Sequence, residues 1–132
     1  MIFGYFVIGK ELFLIYRNSQ DLKMTAEKLH DGENFLNPPV KVALPTSLEE
    51  DKGVVSRVKC INNRCAFARD ASDVDLVTFE TEGQGSGLSL KIAAQKTFLM
   101  YKGFNLDSIE MSEDYIVASG CQMYDTINFS IE

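Results

Sequence analysis

The sequence predicts an all-β fold in a single compact domain spanning residues 1–132, with a β-trefoil-like plan. Three observations carry that prediction. Short runs of β-branched and aromatic residues recur along the chain, separated by Gly, Asn, Asp and Pro turn signals. The stretch 125–131 alternates strictly, with Ile127, Phe129 and Ile131 on one face and Thr126, Asn128 and Ser130 on the other. A unit of an apolar strand, a short polar turn and an alternating strand occurs three times. It reads ELFLIYR then DLKMTAE from residue 11, RCAFARD then VDLVTFE from residue 64, and TFLMYKG then NLDSIEM from residue 97. The uneven spacing marks the second unit as shortened.

The elements follow in order. Residues 3–8 and 12–17 are β-branched and aromatic runs joined at Gly9-Lys10, a short hairpin signal. Asn37-Pro38-Pro39 forces an extended entry into a strand over 40–44. The polar loop 49–53 precedes a strand over 54–60, which Asn62-Asn63 turns back into 65–68. Residues 74–80 alternate as a further strand, and Gly83-Gln84-Gly85-Ser86-Gly87 is a flexible turn. Two segments read either way. Residues 21–30 hold good helix formers, a possible cap at Ser19 or Asp21 and a stop at Gly32, yet Leu22, Met24 and Ala26 would equally share a strand face. Residues 88–102, with Ala93-Ala94-Gln95-Lys96 and then Gly103, pose the same choice. Extended, they complete an all-β domain of ten or more strands; helical, they make an α+β domain with helices near 21–30 and 88–102.

Composition narrows the function classes. Apolar residues at 45% and charged residues at 24% are globular usage, and nine Phe and five Tyr supply a core. The greasy N-terminus is broken by Gly4, Gly9, Lys10 and Glu11, too short an apolar run to span a bilayer. It lacks a basic start and a small-residue cleavage site, so synthesis is expected in the cytoplasm and any export leaderless. Cys60, Cys65 and Cys121 are an odd set without metal-ligand spacing, read as three reduced thiols, the alternative being a Cys60–Cys65 disulfide across the hairpin. Residues 103–132 contain no Lys or Arg against Asp107, Glu110, Glu113, Asp114, Asp125 and Glu132, so the whole net charge of −6 lies there. Such a block repels nucleic acid and favours a basic protein surface.

The run LVTFETEGQGSGLSLKIAAQKTFLMYKG, followed by NLDSIEMSED and TINFSIE, resembles the C-terminal third of interleukin-1 family cytokines, nearest the interleukin-18 and interleukin-33 branch. VIGKELFLIYRNSQDLKM is similar to that family's first hairpin. The resemblance implies a β-trefoil that binds a receptor. It departs at residues 58–80, short for the family's middle strands, and at Ser89-Leu90-Lys91, where the family carries an F-E-S-like stretch.

Catalysis is not expected. The single histidine, His30, sits among Lys28, Asp31 and Glu33 as a surface residue would. GQGSG at 83–87 lacks the Lys-Ser/Thr of a phosphate loop. Asp70, Asp73 and Asp75 are not followed by the Gly and Glu of a calcium loop, so neither metal nor cofactor is expected. The Asn128-Phe129-Ser130 glycosylation signal falls inside a strand. Function is therefore expected to be protein binding, as a cytokine-like receptor ligand or antagonist. The alternative is a small acidic intracellular inhibitor or immunity-type protein, of phage or bacterial kind, that covers a basic site on its target. Binding residues are expected in polar and aromatic loops, at Glu49, Glu50, Asp51 and Lys52, at Glu113, Asp114 and Tyr115, and at Tyr124 and Asp125, with Glu110 of the acidic block beside them. Nucleic acid and membrane are not expected partners.

Overall fold

The computed structural model describes residues 1–29, 40–45, 48, 54–69, 73–84, 87–99, 107–120 and 123–129. Among these, eleven strands and no α-helix form three antiparallel meanders. The first sheet runs β1 (Ile2–Ile8), β2 (Glu11–Arg17), β3 (Met24–Leu29), β4 (Val40–Val42) in spatial order. The second runs β5 (Val55–Ile61), β6 (Arg64–Arg69), β7 (Asp73–Glu82), β8 (Ser89–Leu99). The third, β9 (Ser108–Met111), β10 (Tyr115–Gly120) and β11 (Met123–Asn128), has β10 at its centre. The all-β expectation holds, and the α+β alternative is overturned.

In their described parts both ambiguous segments feed strands, β3 and β8, for different physical reasons. At 21–30, Leu22 takes a left-handed φ of 60°, which no helix allows, and Asp21 Oδ1 accepts the Lys23 N–H at 2.9 Å to close a turn rather than cap a helix. The chain then enters β3, where Ala26 faces Ile15 and Val42 across the sheet and is fully buried. Over 88–102, β8 pairs with β7 from Glu82↔Ser89 to Asp73↔Leu99, so a long ladder outweighs the helix propensity of Ala93, Ala94, Gln95 and Lys96.

Local turn chemistry sets the hairpins. Ile8 and Glu11 pair across Gly9-Lys10, with Gly9 at a φ of 62° that costs glycine nothing. Gly83 leaves β7 at a φ of 84°, and a Cβ there would run into the carbonyl of Gly87.

The second sheet lies between the other two because alternate residues of its central strands enter different cores. Cys65, Phe67, Val77 and Phe79 pack with Phe6, Phe13, Ile15 and Val42 of the first sheet. Ala66, Ala68 and Val74 pack with Ile109, Met111, Ile116 and Ala118 of the third. This explains why β6 is buried from Cys65 to Arg69 without interruption, the pattern of a strand covered on both faces. Phe6 stacks on Phe13 at 5.2 Å and on Phe79 at 5.0 Å, and Phe67 meets Phe79 edge-on at 6.1 Å. Each such ring contributes roughly 1.5–3 kcal/mol by burial alone. Arg69 and Asp75, buried polar residues, are paired: Arg69 Nε donates to Asp75 Oδ2 at 3.0 Å, and Thr97 Oγ1 donates to Asp75 Oδ1 at 2.7 Å.

The reading of three reduced thiols is overturned for two of them. Cys60 and Cys65 are direct cross-strand partners with Cα atoms 4.0 Å apart, and their sulfurs are bonded. The two-residue turn Asn62-Asn63 puts these side chains on the same side of the hairpin, which places the sulfurs in reach. Cys121 lies outside the described residues.

The threefold pattern holds for two units. Residues 11–27 form β2 and β3, and 64–80 form β6 and β7, the second and third strands of their sheets. The third unit does not match, since it leaves β8 of the second sheet and reaches β9 of the third.

Candidate protein-binding site

The third sheet presents one face to the core and the other outward. Ile109, Met111, Ile116 and Ala118 point inward, and Ile127 and Phe129 pack against them. Two rows line the outward face: Ser108, Ser119 and Tyr124 in one, Glu110, Val117 and Thr126 in the next. Tyr115, facing Asn128, continues the face beyond them. Tyr124 is 77% exposed, Tyr115 45% and Val117 38%. Ser108 and Ser119 hydroxyls meet at 2.7 Å, so these polar groups satisfy one another beneath the tyrosines' edge.

Of the expected binding residues, the structure brings Glu110, Tyr115 and Tyr124 onto this face and Glu113 and Asp114 into the turn at its end. Tyr115, Tyr124 and Asp125 stand on strands, not loops, while Glu110 stands on β9 within a segment that reads as a strand. The reason lies in the stretch from Tyr115, whose Ile116 and Ala118 alternate with exposed Tyr115 and Val117 as a strand requires. Asp125 faces Ala118, an inward position, is half-buried, and its Oδ1 accepts the neighbouring Thr126 N–H at 2.9 Å. It is therefore not part of the outward face. Glu49, Glu50, Asp51 and Lys52 lie outside the described residues, as does His30.

The acidic block is one-signed along the chain but not in space. Strand β5 runs beside β9, and three cations border the third sheet from the second. Lys59 Nζ lies 3.5 Å from Glu110 Oε2, Arg57 Nε donates to the Asp107 carbonyl at 3.1 Å, and Arg64 Nη1 donates to the Glu113 carbonyl at 3.3 Å. The Lys59–Glu110 pair is exposed, so it contributes little to stability.

A cleft of about 310 Å³ opens between two turns at the end of the face. Asn62, Asn63 and Arg64 of the β5–β6 hairpin form one wall; Ser112, Glu113 and Asp114 of the β9–β10 turn form the other, with Ile61 and Met111 also lining it. Arg64 stands 5.8 Å over the Phe129 ring, which holds its guanidinium at the rim. Sequence reasoning saw Asn62-Asn63 only as a turn and did not reach Val117 or Arg64. The alternation of Tyr115, Val117 and Ser119 was the available signal for the face. Nothing local signals the cleft, whose walls are some 50 residues apart in the chain.

Searched against family models, curated proteins and solved structures, the chain matches none. What the site can do is therefore read from its own chemistry. Exposed tyrosines on a hydrogen-bonded sheet, flanked by carboxylates, offer a contact surface. Among the described residues, no group of three or more His, Cys, Asp or Glu side chains is placed to hold a metal ion.

Proposed function

We propose that the chain is a non-enzymatic protein-binding module, a cytokine-like ligand or antagonist that docks on a receptor through the outward face of its third sheet. The observation that carries this reading is the placement of exposed Tyr124, Tyr115 and Val117 on one face beside Glu110. Tyrosines held on strands offer large amphipathic contact area with few rotatable bonds to freeze. Glu113 and Asp114 favour a partner with a basic surface and disfavour nucleic acid. The Cys60–Cys65 bond supports an oxidising compartment over the intracellular inhibitor reading. The eleven strands in three antiparallel sheets support a β-rich binding module, and the trefoil-like arrangement that the interleukin-1 family resemblance implies is part of this proposal. The meander order within each sheet is what that plan has to accommodate.

The test uses labelled protein on intact cells of its own host. Saturable binding is expected, and Tyr115→Ala combined with Tyr124→Ala should weaken it by about 30-fold or more, the weight of one hot spot, at unchanged thermal stability. Equal binding by wild type and variant would remove the face from the function. Binding confined to proteins of the host cytosol would favour the acidic inhibitor instead.

A further inference from the structure

The tip of the β5–β6 hairpin is tied to all three sheets. Asn62 O accepts the Val7 N–H at 3.0 Å, a link to β1 of the first sheet. Asn63 O accepts the Phe79 N–H at 2.8 Å while Asn63 Nδ2 donates to Phe79 O at 3.0 Å, a double link to β7 of the second. Arg64 Nη1 reaches the Glu113 carbonyl at 3.3 Å, a link to the turn of the third. The Cys60–Cys65 bond closes a covalent ring of six residues that holds all these ties and one wall of the 310 Å³ cleft.

We propose that the Cys60–Cys65 disulfide is a redox latch on this cleft: oxidised, it holds the hairpin tip as a fixed wall; reduced, it lets the tip open. The proposal rests on the protein-binding reading of the third sheet, because Glu113, Asp114 and Tyr115 continue from the cleft onto that face. Three observations point to a local device rather than a general staple. The ring is small, so its removal frees little unfolded-chain entropy. The turn it closes has only two residues, with Asn62 in the left-handed region at a φ of 53°, so the ring bears directly on this tip and on no other part of the chain. Every tie from the tip leads to a different sheet, so loosening it alters their junction.

The reductant is a dithiol. Its thiolate attacks Sγ of Cys60, the half-buried partner, and the Sγ–Sγ bond breaks with Cys65 leaving as thiolate. The reductant's second thiol then attacks its own sulfur in the mixed disulfide and releases Cys60. Two electrons and two protons end on the two cysteines, and the dithiol departs as a cyclic disulfide.

The experiment is native-state amide hydrogen exchange followed by NMR. It compares the oxidised protein, the protein treated with dithiothreitol, and the double variant Cys60→Ser with Cys65→Ala. Val7 and Phe79 amides should exchange about tenfold faster or more in both forms lacking the bond, while Ile116 and Ala118 of β10 keep their rates. Three results would overturn the latch: a disulfide that survives excess dithiothreitol in the native protein, unchanged exchange at Val7 and Phe79, or a uniform rise across all strands. Should the variant not fold, the dithiothreitol-treated protein decides. Exchange requires no partner, so the latch and the protein-binding reading fail separately. Equal cell binding by oxidised protein and double variant would be a fourth result against the latch and would leave the reading standing.

Discussion

Replacing Asp75 with Asn removes one charge from the most deeply buried ion pair of the fold's described part while keeping the side chain's size. Arg69 Nε lies 3.0 Å from Asp75 Oδ2, and the two side chains retain only 2% and 10% of their exposure. The pair joins the end of β6 to β7, and Thr97 Oγ1, 2.7 Å from Asp75 Oδ1, extends it to β8. Breaking a buried pair from one side costs about 3–5 kcal/mol, because the remaining ion stays in a low-dielectric site without its counter-charge. The Asn amide oxygen still accepts a hydrogen bond, which places the expected loss near 3 kcal/mol. With an unfolding entropy of about 2.1 cal/mol/K per residue, that corresponds to a fall in Tm of about 11 °C for a domain of this length. Urea unfolding and calorimetry under non-reducing conditions measure both quantities, and agreement between them checks two-state behaviour. The double replacement Arg69→Met with Asp75→Leu should return close to wild-type stability, since both charges leave the interior together. A loss below about 1 kcal/mol for Asp75→Asn, or a double variant as damaged as the single, would refute the reasoning.

Phe79→Ala should cost about 3–5 kcal/mol in denaturant unfolding, because Phe79 touches both Phe6 and Phe67 at the junction of the first two sheets. Tyr16 donates its hydroxyl to Glu27 Oε1 at 2.7 Å, and that bond, then burial, then the Glu27 charge raise its pKa above 10.0. A raised folded-state value means that the stabilisation is fully present below pH 10 and is lost as pH rises through the folded pKa; ultraviolet titration of Glu27→Gln against wild type should show Tyr16 ionising earlier in the variant. Leu22→Gly should stabilise the fold by about 0.5–1 kcal/mol in the same unfolding assay, since it relieves a left-handed conformation at an exposed side chain, and a destabilised variant would count against the turn. Tyr124→Ala should leave Tm within experimental error, because its ring is exposed on the sheet and fills no core.

Much of the strand pattern was legible because strands with a single buried face write their period into the chain. The run around Phe6 and the run around Phe13, joined at Gly9-Lys10, are a hairpin in sequence and in space. Ile127 and Phe129 pack inward as their alternation requires. The candidate site was partly legible: the acidic and aromatic composition drew attention to Glu110, Glu113, Asp114, Tyr115 and Tyr124, but composition does not distinguish a loop from the outward face of a sheet. Asp125 shows the consequence, since a polar residue beside Tyr124 alternates to the opposite side.

Sequence alone settled the β-rich class and the positions of the tight turns, because these rest on interactions between residues close in the chain: steric limits at Gly9, the reversal at Asn62-Asn63, the alternation of neighbours. Tertiary structure decided whatever depends on a partner far away in sequence. It drew residues 24–29 and 89–99 into strands by giving their backbones a ladder to complete. It buried both faces of β6, which sequence alternation cannot announce when both sides are apolar. It set Lys59 against Glu110, so that a block acidic along the chain is bordered by cations in space. Electrostatic and packing energies depend on distance through space, and the fold brings together groups that the chain keeps some 50 residues apart.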